Sequence, residues 1–250
     1  MARAVERAVM QETATGLGDL RERLDSARSV TVLTGSGISA ESGLPTFRGV
    51  GGLWRTHRVE ELASPQGFAR DPRLVWTWYN ERRTAHKGVE PSPAHAALAR
   101  IEERVPDFTL ATQNVDSLHV RAGSRNVLEL HGKLREAKCT RCDARRPFDD
   151  AFDLEAIEHE CGGMWRPDIV WFGEALPQDV LEAAFAAAHR ADLMLVVGTS
   201  GMVQPAASLA TKRVTSAYVV EINPEETALT PEVDRSIRAR ASDVLPQLAT

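Results

Sequence analysis

Short apolar runs alternate with longer helical stretches along most of the chain. Five runs of four or five residues are rich in β-branched or apolar side chains, which is typical of strands covered on both faces. This alternation predicts an α/β fold with a doubly wound, mostly parallel, Rossmann-like sheet. The predicted strands are Val30–Thr34, Phe108–Ala111, Val127–Leu130, Leu193–Val197 and Tyr218–Ile222, and the clearest predicted helices are Pro72–Thr84, His95–Glu103, Val180–His189 and Pro205–Val214.

One region does not follow this pattern. Residues 133–167 contain all three cysteines, many charges and no strong periodicity. We interpret this region as a small zinc-ribbon-like module inserted into the α/β domain. The sequence therefore predicts a Rossmann-like domain over 20–132 and 168–250, the module over 133–167, and an N-terminal extension over 1–19.

Composition and charge exclude some classes of partner. The chain has 250 residues, of which 43% are hydrophobic and 26% charged, as in ordinary globular proteins. A net charge of −5 gives no global positive field for nucleic acid, although basic peptides remain possible partners. No apolar run approaches the roughly 20 residues that span a bilayer, and the charged first residues lack a secretory signal core. We expect a cytoplasmic protein without a membrane partner, with a monomer favoured.

A glycine-rich turn follows the first predicted strand. Gly35, Gly37 and Ala40 fit the Gly-x-Gly-x-x-Gly/Ala pattern of dinucleotide-binding turns. The glycines permit a tight turn and close approach to a pyrophosphate, and the next helix offers N–H groups to the anion. A classical dehydrogenase would continue with a long helix and a second strand, but here the helix breaks at Gly43. The polar loop that follows either covers a bound dinucleotide or is an ordinary surface loop.

Six separated motifs together resemble the sirtuin family, in the family's order and over about residues 20 to 248. Ser36, where most members have alanine, is a small departure. The motifs are GSGISAESGLPTFR at 35–48, TQNVDSLH at 112–119, LHG at 130–132, WFGE at 171–174, VGTS at 197–200 and EIN at 221–223.

This resemblance implies NAD-dependent removal of acyl groups from lysine side chains of proteins or peptides. NAD would be a consumed co-substrate, and the products would be free lysine, nicotinamide and O-acyl-ADP-ribose. His131 would be the catalytic general base that deprotonates a hydroxyl of the ribose next to nicotinamide, and an unperturbed imidazole pKa suits that task. Judged without the resemblance, a histidine at a strand end is more often structural.

The resemblance also implies a set of NAD-binding residues at the carboxyl ends of the predicted strands. Gln113 would lie near the ribose, and Ile38, Asn114 and Asp116 would form the nicotinamide pocket, although Asn114 alone could be a helix cap. Asn223 would bind the adenosine ribose and Ala241 the adenine. The full set is Gly35, Ser36, Gly37, Ile38, Thr46, Phe47, Arg48, Trp54, Gln113, Asn114, Asp116, Gly198, Thr199, Ser200, Asn223 and Ala241.

Substrate recognition is assigned to two places. The backbone of residues 169–174 would pair with the substrate peptide, with Val170 and Phe172 lining the acyl-lysine channel; composition alone favours a core strand there. Tyr79 and Arg82 share one helix face, and a guanidinium with a phenol can grip a carboxylate. In the family this pair resembles the subgroup that acts on succinyl- and malonyl-lysine, so we expect acidic acyl groups, with acetyl also possible.

Three cysteines resemble most of a structural zinc site. Cys139 and Cys142 have the spacing of half a zinc ribbon, and Cys161 supplies a third thiolate. The family pattern places a fourth cysteine where this chain has Glu158. We therefore predict one structural Zn²⁺ with Glu158 as the fourth ligand and His159 as the alternative; a module that has lost its metal is the competing interpretation.

Other functions remain open from sequence alone. The main alternative is an NAD-dependent protein ADP-ribosyltransferase, which would give Tyr79 and Arg82 nothing to bind. A non-catalytic NAD-sensing or zinc-binding interaction module would not need His131. A hydride-transferring dehydrogenase is a further alternative that an absorbance assay for NADH would reveal.

Overall fold

The computed structural model describes residues 16–46, 59–148, 150–211 and 213–250, so Phe47, Arg48 and Trp54 lie outside the described residues. The helices are α1 over 16–26, α2 Ser36–Ala40, α3 Val59–Leu62, α4 Pro65–Arg70, α5 Pro72–His86, α6 Pro93–Arg104, α7 Leu118–Arg121, α8 Gln178–Arg190 and α9 Ala241–Leu248. The strands are β1 Ser29–Thr34, β2 Asp107–Thr112, β3 Val127–Glu129, β4 Gly132–Cys139, β5 Arg145–Pro147, β6 Trp165–Ile169, β7 Leu193–Val197, β8 Tyr218–Ile222 and β9 Arg235–Ile237.

The larger sheet has six parallel strands in the order β3-β2-β1-β7-β8-β9. Its chain order reverses between β1 and β7, as in the Rossmann arrangement. In open sheets of this type, ligands bind in the crevice outside the carboxyl ends of the strands at such a reversal. The predicted fold class is confirmed. The strand order predicts that a ligand of this sheet binds beside the turns that follow β1 and β7.

Alternate side chains of the central strands enter two separate cores. On β1, Val30 and Val32 pack into a cluster with apolar residues of α1, α6 and α9, whereas Leu33 packs into a second cluster with alanines of α8. Both faces of the sheet are therefore covered, which explains why β7 is apolar and buried at every position. Within the described ranges, no helix is long and apolar enough to cross a membrane.

A second, antiparallel sheet has the strand order β5-β4-β6. Its core also includes α3, α4 and α5, which precede it in sequence. Trp76 of α5 stacks on Phe152 with ring centroids 3.9 Å apart, and its indole N–H donates to the carbonyl of Trp165 over 2.8 Å. This packing fixes α5, and with it the predicted substrate residues, against the small sheet.

Two segments differ from the expectation of regular structure. The predicted helix Pro205–Val214 is only a 3₁₀ helix, Ala206–Ala210. The Ser208 hydroxyl donates to the carbonyl of Pro205 and the Thr211 hydroxyl to the carbonyl of Ser208, and such local bonds compete with helical ones. The core strand that composition favours after the small module ends at Ile169, and Phe172 beyond it is half exposed.

Candidate active site

A cavity of about 920 Å³ lies at the carboxyl ends of β1, β2, β7 and β8. It is at the upper end of the usual size of small-molecule sites, so its volume suits a dinucleotide. Ile38 is fully buried behind its wall. Among the residues predicted to bind NAD, those that line the cavity are Gly35, Ser36, Gly37, Thr46, Gln113, Asn114, Gly198, Thr199, Ser200, Asn223 and Ala241.

Close backbone contact joins the turns after β1 and β7. The N–H of Gly37 donates to the carbonyl of Gly198 over 2.8 Å. A Cβ at Gly35 would lie 2.7 Å from the Cβ of Thr199, and one at Gly37 would lie 2.8 Å from the Cα of Gly198. Since real Cβ atoms do not approach this closely, both glycines are needed to bring the two turns together at the crevice.

Thr199 connects two predicted ribose-binding side chains. The amide of Gln113 donates to the Thr199 hydroxyl over 2.8 Å, and the amide of Asn223 donates to the Thr199 carbonyl over 3.0 Å. These bonds hold the ends of β2, β7 and β8 in one arrangement. Both residues line the cavity, where their side-chain oxygens can accept hydrogen bonds from ribose hydroxyls, although the Asn223 oxygen also accepts from the N–H of Glu225.

Asn114 and Asp116 are joined through a serine of the glycine-rich turn. The Asn114 amide donates to the Ser39 hydroxyl and to the carbonyl of Gly35, each over 3.0 Å. The Ser39 hydroxyl donates in turn to the Asp116 carboxylate over 2.7 Å. Asn114 therefore fastens the first glycine turn to the end of β2 and is not a helix cap.

Glu41 fixes the start of the last helix against this turn. Its carboxylate accepts from the N–H groups of Ala241 and Ser242 over 2.8 and 2.9 Å. Unpaired N–H groups at a helix start favour a negative charge, so this contact is stabilising. It holds Ala241, the predicted adenine contact, at the edge of the cavity.

His131 reaches the cavity from the short connection between β3 and β4. Its Nδ1 lies 3.0 Å from the carbonyl oxygen of Gln113, which can only accept, so Nδ1 carries the proton and Nε2 is left as an acceptor. Burial lowers the pKa of His131, and the bond to Gln113 partly opposes this shift. The ring is therefore neutral at physiological pH and can accept a proton through Nε2.

Gly132 is the residue that allows the sharp turn after His131. Its φ of +83° lies in the left-handed region, and a Cβ there would come 2.0 Å from the carbonyl oxygen of Asp168. The carbonyl of His131 accepts from the N–H of Val170 over 2.9 Å. The histidine backbone is thereby tied to the predicted peptide-binding segment.

Tyr79 and Arg82 lie on one face of α5 and both line the cavity. Both side chains are buried, with exposures of 1% and 7%. The indole N–H of Trp171 donates to the Tyr79 hydroxyl over 2.9 Å, so the hydroxyl proton of Tyr79 is available to another acceptor. Burial raises the pKa of Tyr79 and lowers the pKa of Arg82, yet an arginine stays charged at neutral pH.

The segment after β6 is held by a charged network in addition to backbone bonds from Val170 and Phe172. Glu174 accepts from the N–H of Trp171 over 2.9 Å and forms an ion pair with Arg166, whose guanidinium lies 3.4 Å from the centroid of the Trp171 ring. Val170 and Phe172 line the cavity. The backbone of this segment is therefore fixed while the side chain of Phe172 projects half-exposed at the cavity edge.

A separate cluster of possible metal ligands lies in the small module. The sulfurs of Cys139, Cys142 and Cys161 and a ring nitrogen of His159 all lie within 4.8 Å of one another. The sulfurs of Cys139 and Cys161 are 3.5 Å apart, and Nδ1 of His159 is 3.0 Å from the sulfur of Cys161. With zinc–ligand bonds of about 2.0 to 2.3 Å, such spacings suit a tetrahedral zinc ion.

The choice of Glu158 as the fourth ligand is corrected to His159. Glu158 forms a bridge with Met164, and its side chain is exposed. The next residue in the chain turns toward the cysteines, and the ring of His159 packs edge-on against Trp165 with centroids 4.6 Å apart. The three cysteines and His159 thus form a donor set that fits Zn²⁺.

We expect protein purified without chelator to contain about one zinc per chain, because four such donors are typical of structural zinc sites. His159→Ala should lower the zinc content and increase the rate of zinc loss to a chromogenic chelator. Glu158→Gln is the matched control and should behave as wild type. Equal zinc retention in the His159 variant, or loss in the Glu158 variant, would contradict the assignment.

Sequence reasoning missed several residues that hold predicted site residues in place, and Ser39 and Trp171 are two of them. Ser39 joins Asn114 to Asp116, and Trp171 positions the hydroxyl of Tyr79. Both stand inside motifs that the sequence had already singled out. Their partners are 75 to 92 residues away, so no local spacing identified them.

Comparison with known proteins gives the family of this chain. Residues 35–205 match the model of the Sir2 family. NAD-dependent protein deacylase 2 of Pyrobaculum aerophilum is 49% identical over 232 residues, which cover 92% of this chain and 93% of the relative. The NAD-dependent protein deacylase of Thermus thermophilus is 48% identical over 230 residues, covering 90% and 91%. The chain belongs to the Sir2 family, as its resemblance to the sirtuins predicts.

Solved structures agree with this assignment. A Sir2 homologue in complex with NAD has a TM-score of 0.86 and 46% identity, covering 93% of this chain and 92% of that one. A Sir2 protein in complex with a deacetylated p53 peptide and 3′-O-acetyl ADP-ribose has a TM-score of 0.81 and 32% identity, covering 93% and 95%.

Proposed function

We propose that this protein removes acyl groups from lysine side chains with consumption of NAD, and that it prefers acyl groups ending in a carboxylate. The observation that carries the proposal is that His131, Tyr79 and Arg82 line one cavity with the paired glycine turns. The names of the relatives support the NAD-dependent deacylase activity. The succinyl and malonyl preference rests on the two α5 side chains.

NAD supplies an activated bond between nicotinamide and ribose. When this bond breaks, nicotinamide leaves and the ribose can receive the acyl group. The turns after β1 and β7 would hold its phosphates and riboses, and Asn114 and Asp116 would form the nicotinamide pocket. Nε2 of His131 would take a proton from a ribose hydroxyl. Because Nδ1 of His131 donates its proton to the carbonyl of Gln113, Nε2 carries no proton of its own and the ring is held in one orientation.

The lowered pKa of His131 leads to a pH prediction. A general base acts in its neutral form, which persists to lower pH when the pKa falls below the ordinary value of about 6.5. We expect kcat/KM to be flat near pH 7 and to fall only as the pH drops below about 6.5. A pH–rate profile checks this: an acid limb centred above pH 7 would refute it.

The zinc cluster has a structural part in this proposal. Its sulfurs and His159 belong to the small module, whereas the cavity is lined by other residues. A zinc ion held there would stabilise the sheet whose packing fixes α5, and thus the geometry of Tyr79 and Arg82. It would take no part in proton transfer.

The proposal is tested with three peptides that differ only in acetyl-, malonyl- or succinyl-lysine. Each is incubated with NAD and the products are identified by mass. We expect free lysine, nicotinamide and O-acyl-ADP-ribose, with succinyl and malonyl peptides consumed fastest. Transfer of ADP-ribose to a peptide side chain, or formation of NADH, would reject the deacylase. Faster consumption of the acetyl peptide would reject only the carboxylate preference.

A further inference from the structure

A fully buried carboxylate lies next in sequence to the part of β8 that lines the cavity. Glu221 is on β8, two residues before Asn223, and its side chain is buried completely. Strands on both sides enclose it, since it pairs with Val196 of β7 and with Ser236 of β9. A carboxylate in the middle of a parallel sheet is costly unless several donors compensate its charge.

Four side chains donate to Glu221. The hydroxyl of Ser236 donates over 2.6 Å and the guanidinium of Arg238 over 2.9 Å, both from β9 and the residues after it. The hydroxyls of Thr227 and Thr230 also donate, that of Thr230 over 2.8 Å. Burial alone would raise the pKa of Glu221, but these four bonds outweigh it and hold the pKa below the ordinary value.

The two threonines belong to a loop and not to the sheet. This loop, residues 224–230, follows Asn223 and ends where a 3₁₀ helix begins at Thr230, and most of it lines the cavity. Thr227 and Thr230 are also bonded directly to each other, since the Thr230 hydroxyl accepts from the N–H of Thr227. Their attachment to a single carboxylate therefore sets where the loop runs along the cavity.

The same network continues to the residue predicted to bind the adenosine ribose. Arg238, held by Glu221, also donates to the carbonyl of Glu225 over 3.0 Å. The N–H of Glu225 donates to the side-chain oxygen of Asn223 over 3.2 Å. The loop path set by Glu221 thereby orients the amide of Asn223, whose other end is held by Thr199.

We infer that Glu221 is a positioning residue for NAD: through Thr227, Thr230 and Arg238 it holds the 224–230 loop and Asn223 in the conformation that binds the adenosine half. This inference rests on the proposed function, because it takes NAD as the ligand of the cavity. Glu221 itself does not line the cavity, so it acts through the residues that it holds. Its effect falls on NAD affinity and not on the proton transfer at His131.

The test is Glu221→Gln, which keeps the shape of the side chain but loses the charge. We expect the Kd for ADP-ribose, measured by titration calorimetry, and the KM for NAD to rise roughly tenfold, about the effect of one charge-assisted hydrogen bond. The kcat at saturating NAD and the KM for the acyl peptide should stay near wild type. Binding of ADP-ribose is measured without turnover, so a wild type that binds it but removes no acyl group would sink the proposed function alone.

The matched control is Glu102→Gln. Glu102 is also a buried carboxylate, and it accepts from the N–H groups of Arg125 and Asn126 at a site that does not line the cavity. Both variants should lower the melting temperature, but only the Glu221 variant should weaken ADP-ribose binding. An unchanged Kd in Glu221→Gln, or an equal rise in both variants, would overturn the inference.

A second variant serves if Glu221→Gln does not fold. Thr230→Val keeps the volume of the side chain and removes one donor to Glu221 on the loop side. It should raise the Kd for ADP-ribose severalfold with little change in kcat. If the affinity is unaffected, the loop does not depend on this carboxylate and the inference is rejected.

Discussion

His131→Ala should lower the turnover of acyl-lysine peptides by roughly a hundredfold or more, the usual contribution of a well-placed general base. The expected loss is in kcat, because the ring is placed to accept a proton. Its contribution to ligand binding should be small, because it is one of many residues that line the cavity. NAD binding should survive, since the two glycine turns, Gln113 and Asn223 are unchanged. Steady-state kinetics together with a binding titration of NAD measure the two effects separately.

His189→Ala is the matched control for this variant. His189 lies exposed on α8, where its ring contacts the carbonyl of Val214, and it does not line the cavity. Its removal should leave turnover unchanged. Near-normal turnover in His131→Ala would reject the general-base assignment. Parallel loss of turnover and NAD binding would show that His131 instead supports the shape of the cavity.

The local sequence pattern was sufficient to predict the central strands and the turns that follow them. The strand predicted over Val30–Thr34 is β1 almost to the residue, because every one of its positions is buried and apolar or β-branched. Glycines at the strand ends indicated the position of the crevice, because a side chain there would clash with the neighbouring turn. The spacing of these glycines reflects a close backbone approach, and in the structure the N–H of Gly37 donates to the carbonyl of Gly198.

Long-range packing was not contained in such patterns. The small sheet shares its core with α5, and Trp76 and Trp165, which bond to each other there, are 89 residues apart. The fourth zinc donor was misplaced by one residue for a related reason. In an extended bridge neighbouring side chains point to opposite sides, so the outward direction of Glu158 leaves His159 to face the cysteines.

Arg82→Met and Tyr79→Phe should strongly weaken removal of succinyl and malonyl groups and leave removal of acetyl unchanged or improved. A carboxylate at the end of the acyl group can bond to the guanidinium and to the phenolic proton, whereas acetyl has no such group. Loss of a charge-assisted hydrogen bond to a buried carboxylate costs about 1.5–3 kcal/mol. The expected loss in kcat/KM is therefore roughly ten- to a hundredfold for the acidic acyl groups.

Arg73→Met is the matched control, because Arg73 is on the same helix but exposed and paired with Glu155. It should affect neither class of substrate. A solvated helix face would predict no change for either substrate in the Arg82 and Tyr79 variants, and a role in supporting the fold would predict equal loss for both. The ratio of kcat/KM for succinyl and acetyl peptides separates these cases, because only direct contact with the distal carboxylate lowers that ratio. An unchanged ratio, whatever the absolute rates, would therefore reject the carboxylate clamp.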